Sequence, residues 1–414
     1  MFTFCKPVSS RKRFLPHRQI SKDFTFSLFD HIIHVNAEHW DSITHKRTVF
    51  LERSYLAILE HGHQTRIACR YVIVYHHRKP CGIIYFQVVD FKAGVFGEMI
   101  SRQVENIRNT RMSLFEKYVD ANKDEVLLRL CTCGNNLVSG EHGFLFSETV
   151  KKDDAHTILL KIVDLIAHEE KLSGTISAIL LKDFHRPLFS KKTLTTEKYS
   201  EFEGEPNMVV AIPPGISALN DYVDRFSKKY RNRAKAIFRK MEGVSVKELG
   251  LAEIKKREKD IYRLYEEVFS RAKFRLVKLP SHYFSHVKEA FADRFTIIAY
   301  FKDDALMAFT STFMMPDNTL EAHYIGVSYE MNGTYELYQN ILYSFIKQGI
   351  EKGCGKVNLG RTAAEIKTTV GARPEPLICY IKPQNTISKI IQKPFVSFMQ
   401  PAEWTPRNPF KEEL

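Results

Sequence analysis

Three charged side chains lie close together in the stretch LGRTAAEIKTTVGARPEP, which begins at residue 359. They are Arg361, Glu365 and Lys367, and glycines flank them on both sides. Arginine and lysine can hold the negative charge of a phosphate or of a developing oxyanion. Gly360 ends a short strand, so we expect Arg361 at the mouth of a sheet, where ligands of α/β proteins collect. The alternative is an ordinary helix-surface pair between Arg361 and Glu365, four residues apart, worth a few tenths of a kcal/mol.

A second group of candidates lies on the apparent strand LEAHYIGVS, which begins at residue 320. Alternation places Glu321 and His323 on one face of this strand. It places Ala322, Tyr324 and Gly326 on the other face. A carboxylate and an imidazole in this arrangement suit a base relay, in which His323 accepts a proton and Glu321 orients the ring. The alternatives are a solvated sheet edge or a histidine satisfied within the core.

Basic side chains are densest in residues 216–242, where apolar residues recur at spacings of three and four and predict one helix. Its basic residues are Arg225, Lys228, Lys229, Arg231, Arg233, Lys235, Arg239 and Lys240. This face favours an anion, either the phosphates of a donor or a membrane surface, and Arg231 and Lys235 are candidates for contact with the donor. The alternative is a solvated helix face.

The composition excludes a disordered chain, because the 414 residues are 44% hydrophobic and 12% aromatic. A formal net charge of +13 favours an anionic partner such as nucleic acid, a membrane surface or a phosphorylated substrate. An odd number of cysteines without a Cys-x-x-Cys spacing predicts reduced thiols, no metal site and a cytoplasmic location. The basic N-terminal stretch lacks a signal-peptide core, and no run approaches the roughly 18 apolar residues that span a bilayer. We therefore expect a soluble or peripheral protein.

Two parts of the chain repeat one order of elements: hairpin, strand, loop, helix, strand. The first repeat has its hairpin turn at 76–80, its helix at 155–171 and its last strand at 175–184. The second has its hairpin turn at 302–304, its helix at 334–352 and its last strand at 356–360. The repetition predicts an α/β protein of two domains, each a mixed sheet flanked by helices. We expect these domains at 20–200 and 201–385, followed by a tail at 386–414. His142 and Asn332 occupy analogous loops, where either could line a cleft or be an ordinary loop residue.

Three segments resemble the tandem GNAT fold of FemAB-like acyltransferases. They are SKKYRNRAKAIFRKMEGVSV, LYQNILYSFIKQGIEKG and KGCGKVNLGRTAAEIKTTVGARP. The first resembles the basic helix and Gly-Val that open the second domain of that family. The last resembles its strand ending in Gly-Arg-Ser/Thr, followed by a lysine and a glycine. The resemblance covers roughly residues 45–385. The usual GNAT pyrophosphate loop is absent here, as it is in FemAB-like proteins.

The resemblance implies a bacterial N-acyltransferase that moves an acyl group from a thioester to an amine acceptor, such as a lipid precursor. Acyl-CoA or acyl carrier protein would be the co-substrate, with no tightly bound cofactor. His323 would take the amine proton, and Arg361 and Lys367 would contact donor or acceptor, with Glu365 holding the arginine. Tyr329 and Tyr335 could reprotonate a leaving thiolate, although aromatic packing is their more ordinary role.

Two other functions fit the same sequence. An aminoacyl ligase of FemAB type would use aminoacyl-tRNA, but residues 251–272 predict a single helix rather than the long coiled-coil arm that such enzymes often carry. A non-catalytic anion-binding or nucleic-acid-binding protein has only the charge in its favour. The tail NTISKIIQKPFVSFMQPAEW could lie in the interface of the inner membrane or pack onto the second domain. Its apolar residues are Ile387, Ile390, Ile391, Phe395, Val396 and Phe398.

Overall fold

This computed structural model describes residues 18–62, 67–92, 126–169, 175–272, 277–401 and 403–411, so the basic N-terminal stretch lies outside the described residues. The strands are β1 (Arg18–Gln19), β2 (Phe24–Phe29), β3 (Ile67–His76), β4 (Lys79–Lys92), β5 (Val126–Cys133), β6 (Phe144–Phe146), β7 (Ala178–Phe184), β8 (Ser200–Ala211), β9 (Ser245–Glu248), β10 (Phe295–Lys302), β11 (Ala305–Met314), β12 (Thr319–Val327), β13 (Lys356–Asn358) and β14 (Arg373–Pro383). The helices are α1 (Ala37–Thr44), α2 (Arg53–Gly62), α3 (Lys152–Glu169), α4 (Lys191–Glu197), α5 (Leu219–Asp224), α6 (Lys228–Arg239), α7 (Leu251–Lys256), α8 (Glu258–Arg271), α9 (Tyr283–Phe291), α10 (Tyr329–Tyr335), α11 (Leu337–Glu351), α12 (Ala364–Thr368) and α13 (Thr386–Met399). Within these ranges, no helix combines the length and the apolar character needed to cross a membrane.

The described strands form one 14-stranded sheet in the order β1-β2-β3-β4-β5-β7-β14-β8-β13-β12-β11-β10-β9, with β6 beside β4. From β2 onward the order is symmetric: β2 to β5 and β7 correspond to β9 to β12 and β13. Only the β5–β7 and β12–β13 pairs are parallel. The two halves therefore share one topology, which confirms the predicted mixed α/β fold, and their strands join into one sheet.

The halves also exchange a strand at the centre of the sheet. Strand β8 follows the first half in the chain but pairs with β13 of the second half. Strand β14 ends the second half but pairs with β7 of the first half. Because β8 and β14 also pair with each other, the sheet is continuous across the predicted boundary. The boundaries at residues 200 and 385 stay predictions.

Both faces of the sheet carry apolar cores. One face packs against α3 in the first half and α11 in the second, where Ile162 and Ile346 are fully buried. On the opposite face Phe50, in a 3₁₀ turn, packs against His142 of the first half and His323 of the second. The N-terminal segment thus bridges the two halves through one aromatic ring.

The single helix predicted over residues 216–242 is wrong, because α5 and α6 are separate helices. The C-terminal segment docks at the break between them. The Ser227 N–H donates to the Pro409 carbonyl at 2.8 Å, and the Lys411 N–H donates to the Arg225 carbonyl at 3.1 Å. These bonds use the Ser227 N–H and the Arg225 carbonyl, which would otherwise form hydrogen bonds within one continuous helix. The apolar periodicity of residues 216–242 contains no information about this distant segment.

Two further local predictions need correction. Asn332 does not lie in the predicted loop but inside α10, and Glu336, with a left-handed φ of 48°, separates α10 from α11. Asn332 instead caps the next helix, since its Oδ1 accepts the Tyr338 N–H at 2.9 Å. The helix predicted over 251–272 is two helices with a turn at Arg257.

The tail forms helix α13, which packs against β8 and β14. Phe395 is buried and Val396 is half-buried, while the other apolar tail positions lie outside the described side chains. The packing predicted for the tail is therefore observed for the described part of α13.

Strand β12 contains a bulge that changes the predicted faces. His323 and Tyr324 together lie opposite Ser311 of β11, since the ladder shifts between Thr310 and Thr312. The Ser311 hydroxyl fixes this bulge by donating to the Tyr324 carbonyl at 2.8 Å and accepting its N–H at 2.9 Å. A bulge shifts every later side chain to the other face. Tyr324 and Gly326 therefore share the aromatic face with His323, which corrects the opposite prediction.

We predict that Gly326→Ala destabilises the fold. The added Cβ would clash with the Phe309 ring and lie 2.7 Å from Leu264 Cβ, and overpacking of this kind costs about 1–3 kcal/mol. Gly333→Ala is the matched control, because its Cβ would meet no atom within 4 Å and alanine favours the helix. Denaturant unfolding should show a loss for Gly326→Ala and none for Gly333→Ala. Equal stability of the two variants would contradict the packing described here.

Candidate active site

An open fork lies between the parallel strands β12 and β13. Their last paired residues are Glu321 and Asn358, and β12 then continues to Val327 without β13 beside it. Residues 321–325 are all partly exposed although the strand is interior, whereas the residues at either end of β12 are buried. The sheet is therefore open along this part of β12.

Glu321 lies at the base of the fork. The Asn358 amide donates to its two carboxylate oxygens at 3.1 and 2.9 Å. Burial raises the pKa of Glu321 to about 8, against the lowering effect of the Asn358 hydrogen bond. A carboxyl group with a pKa near neutrality is suited to accept and release a proton at physiological pH.

His323 lies farther along the fork, in an aromatic cage. The rings of Phe50, Tyr283 and Phe313 lie within 6 Å of its own, and its Nε2 is 2.6 Å from the Tyr283 hydroxyl. Burial lowers the pKa of His323 to about 3, so the ring is neutral. The hydrogen bond predicted between Glu321 and His323 is not formed, since Glu321 pairs with Asn358 and His323 with Tyr283.

Arg361 forms an ion pair with Asp183 at the end of β7, in the other half of the chain. The carboxylate also contacts the Lys182 ammonium. Burial alone would raise the pKa of Asp183, but the charges of Arg361 and Lys182 hold it well below its usual range. The predicted Arg361–Glu365 pair is wrong, because Glu365 instead accepts a hydrogen bond from Arg407 at 2.6 Å.

Lys367 holds the loop that follows β13. Its Nζ donates to the carbonyls of Leu359, Gly360 and Arg361 at 2.8, 3.1 and 2.6 Å. Burial lowers the pKa of Lys367 to about 7. These three bonds match the three donors of an ammonium group, so Lys367 holds the loop that carries Arg361. The contact of Lys367 with donor or acceptor stays a prediction.

The corresponding fork of the first half is closed. The loop after β5 folds into it, and Lys182 Nζ donates to the Val138 carbonyl of that loop at 2.8 Å. His142 is buried there, with its Nε2 3.0 Å from the Ser139 carbonyl. Burial, helped by the charge of Lys182, lowers the pKa of His142 to about 3. His142 thus fills the first fork instead of lining an open cleft.

Comparison with known proteins bears on the fold. No family model and no curated protein matches the sequence. Among solved structures, FemX superposes with a TM-score of 0.51 at 10% identity, over 87% of this chain and 98% of its own. The C-terminal domain of a putative lysylphosphatidylglycerol synthetase from Agrobacterium fabrum gives 0.47 at 9% identity, over 87% and 96% of the two chains. A tandem GNAT protein from the clavulanic acid biosynthesis pathway gives 0.42 at 10% identity, over 77% and 84%.

The protein has a mixed α/β fold that it shares with FemX.

The two tyrosines predicted at the site lie on α10. Tyr329 stacks under the Arg271 guanidinium, 3.9 Å from the ring centroid, and its N–H donates to Glu267. Tyr335 is partly buried, and its carbonyl accepts a hydrogen bond from Asn340. Tyr335 packs against the core, whereas Tyr329 is exposed beside the Arg271 guanidinium, and the catalytic role of both stays a prediction.

Arg231 and Lys235, the two predicted donor contacts of the basic stretch, lie in different surroundings. Arg231 turns back to the carbonyls of Asp224 and Phe226 at 3.4 and 3.5 Å, so it ties α5 to α6. Lys235 is exposed on α6. The structure does not place either residue in the fork, and their contact with a donor stays a prediction.

The sequence contained signals for residues that we did not single out. Lys182 and Asp183 are charged positions at the end of an otherwise apolar strand, which often marks a buried polar cluster. Asn358 is a polar residue in the middle of KVNLG and lies directly opposite Glu321. Neither signal named its partner, because each pair joins distant parts of the chain.

We predict that Asp183→Asn lowers the free energy of unfolding by about 3–5 kcal/mol, the usual cost of leaving a buried charge without its partner. The control is Glu365→Gln, which breaks the half-exposed pair with Arg407 and should cost at most about 1 kcal/mol. Chemical denaturation measures both. A cost for Asp183→Asn no larger than that of the control would show that the ion pair of Asp183 with Arg361 does not stabilise the fold.

We also predict that Glu321 makes stability depend on pH. Its pKa of about 8 lies above the ordinary 4.5, so the folded state keeps a proton that the unfolded chain releases between these values. The stability contributed by the protonated group is fully present below about pH 4.5 and is lost as the pH rises through about 8. In denaturant titrations, the free energy of unfolding of Glu321→Gln should therefore increase relative to that of wild type as the pH rises from about 4.5 to above 8.

The surface substitution Glu351→Gln serves as the control for this titration, since its carboxylate is exposed on α11. It should follow the wild-type profile. A stability difference between Glu321→Gln and wild type that stays constant with pH would contradict the raised pKa.

Proposed function

We propose that the protein transfers an acyl group from a thioester to an amine, with the chemistry at the fork between β12 and β13. The observation that carries the proposal is the position of Glu321: a partly exposed carboxyl group whose pKa is raised by desolvation, at the base of an opening in the sheet. An amine must lose its proton before or during attack on a carbonyl, so the reaction needs a base at this kind of position. The FemAB-like resemblance and the fold shared with FemX agree with an acyl or aminoacyl transferase.

Glu321 is the proposed base, in place of the histidine that the sequence suggested. Its carboxylate would take the amine proton directly or through a water molecule. Asn358 orients the carboxyl group and keeps it at the base of the fork. His323 stays neutral in its cage and would shape the fork beside the reacting groups.

The strand itself would hold the donor. Beyond Glu321, β12 has β11 on one side and no strand on the other, so alternate N–H and C=O groups face the opening. An extended acyl carrier arm could pair with these groups as an added strand does. A backbone N–H in the same row would stabilise the oxyanion, and a thiolate leaving group, with an ordinary pKa near 8.5, needs little help to depart.

The test uses the full chain with a panel of acyl-CoA and acyl carrier protein donors and primary amines, including aminolipids. Thiol release and mass spectrometry of the N-acyl product measure turnover. We predict that Glu321→Gln lowers turnover by roughly 10²-fold or more, since loss of a general base typically costs this much. The wild-type rate should rise with pH through about 8, where Glu321 loses its proton.

Glu351→Gln is again the matched control and should keep the wild-type rate. Turnover of Glu321→Gln within about threefold of wild type, with a retained pH profile, would remove Glu321 from the chemistry. If product forms only from aminoacyl-tRNA, the donor is an aminoacyl ester and the proposed thioester donor is wrong.

A further inference from the structure

A chain of three hydrogen-bonding side chains runs from the fork into the core. His323 Nε2 lies 2.6 Å from the Tyr283 hydroxyl, and the Tyr283 hydroxyl donates to the Tyr55 hydroxyl oxygen at 3.1 Å. The three residues belong to β12, α9 and α2, which are distant from one another in the chain. Tyr283 and Tyr55 are fully buried, whereas His323 is partly exposed in the open part of β12. Of the three, His323 is therefore the residue that can reach a ligand in the fork.

Neighbouring rings fix the orientation of His323. The rings of Phe50 and Tyr283 are nearly parallel to the imidazole, with interplanar angles of 23° and 30° and centroids 5.7 Å away in both cases. The Phe313 ring contacts the imidazole edge-on at 5.0 Å. The bulge opposite Ser311 directs the His323 side chain into this cage. A flip of the imidazole would require these rings to move, so Nε2 stays on the side of Tyr283.

The direction of the two hydrogen bonds decides which nitrogen of His323 carries the proton. A phenol has one hydrogen, and that of Tyr283 is used in the bond to Tyr55. The Tyr283 oxygen must therefore accept, so the Nε2–H of His323 is the donor in the other bond. Because burial keeps the imidazole neutral, Nδ1 then has a free lone pair. Within the described part of the chain Nδ1 makes no hydrogen bond, so this lone pair is available to a ligand.

We propose that Tyr283 and Tyr55 are positioning residues, which hold His323 in the Nε2–H tautomer so that Nδ1 accepts a hydrogen bond from the amine of the acyl acceptor. The choice of ligand rests on the proposed acyl transfer, whereas the tautomer follows from contacts within the chain. Glu321 and His323 lie two residues apart along the same fork.

This arrangement selects a class of amine. The nitrogen attacks the carbonyl through its lone pair, so its hydrogens remain for the protein to bind. A primary amine has two of them, and can give one to Glu321 while the other donates to His323 Nδ1. A secondary amine has one hydrogen and satisfies only one of these groups. The acceptor inferred from the fork is therefore a primary amine.

NMR spectra of the full chain, labelled with ¹⁵N-histidine, test the tautomer without any substrate. The His323 resonances are those that His323→Gln removes from the spectra. In wild type, long-range ¹H–¹⁵N correlations should show a protonated Nε2 and an unprotonated Nδ1 near neutral pH. In Tyr55→Phe the Tyr283 hydroxyl loses its acceptor and is free to donate to Nε2, so we expect the proton of His323 to move to Nδ1. Tyr71→Phe is the matched control, since it removes another fully buried hydroxyl, bonded to Glu60, and should keep the wild-type tautomer.

Steady-state kinetics test the contact with the amine. Tyr55→Phe should lower kcat/KM for a primary amine at least about tenfold relative to its N-methyl derivative, the scale of one lost hydrogen bond, because the N-methyl amine does not use Nδ1. The KM of the acyl donor should stay within about twofold of wild type. Tyr283→Phe, which removes the acceptor of the Nε2–H, should also lose the single tautomer and the preference for primary amines, and it replaces Tyr55→Phe if that variant does not fold.

Three results would overturn the proposal: a wild-type spectrum with the proton on Nδ1, an unchanged tautomer in Tyr55→Phe, or an exchanged tautomer with wild-type selectivity for amines. The last result would leave the proposed transfer intact, because Glu321→Gln would still lose turnover. Wild-type turnover of Glu321→Gln would instead remove the proposed base. The spectra would then still decide whether the two tyrosines set the tautomer of His323.

Discussion

The ion pair between Asp183 and Arg361 is the constraint around which the sheet is arranged. Asp183 ends β7 and Arg361 follows β13, and these are corresponding strands of the two halves. Between them run β14 and β8, the strands that the halves exchange. Asp183 is fully buried and has a left-handed φ of 67°, so its carboxylate has few alternatives to this contact. A separation of the halves would leave these charges without their partners, which is costly in a low-dielectric interior.

The surroundings of the Asp183–Arg361 pair differ between the two repeats. In the first half, the loop after β5 closes the fork, and Lys182 and His142 fill the space beside Asp183. In the second half, the fork stays open along β12 and exposes Glu321. The two forks thus differ in packing: the first is filled by side chains, and the second leaves the carboxyl group of Glu321 partly accessible.

Sequence reasoning succeeded where the determining interactions were local. The strand over Thr319–Val327 and the helix that became Leu337–Glu351 follow from clear periodicity, and the repeated order of elements predicted the architecture. It failed where a distant segment decided the outcome. The C-terminal segment splits the basic helix at Ser227, and the Ser311 hydroxyl of a neighbouring strand fixes the bulge that moves Tyr324.

In the candidate site, too, the residue types were predictable from the sequence but their distant partners were not. The sequence identified Glu321, His323, Arg361 and Lys367 as chemically suitable, and all four lie along β12 or in the loop after β13. Their partners were not predictable, because Asn358, Tyr283 and Asp183 come from separate elements that only the folded sheet brings near. Residue types therefore pointed to the candidate site, while the partners of these residues depend on tertiary contacts.

The loop after β13 stores strain that its surroundings must offset. Thr362 and Ala363 have left-handed φ values of 64° and 49°, which cost residues with a side chain about 1–2 kcal/mol each. The bonds from Lys367 to the preceding carbonyls and the pair of Arg361 with Asp183 hold this conformation in place. The strained turn lies beside the fork, and Arg361 within it is directed to Asp183. Because strained backbone persists where neighbouring contacts leave it no freedom, the bonds from Lys367 are what keep this loop, and with it Arg361, in place.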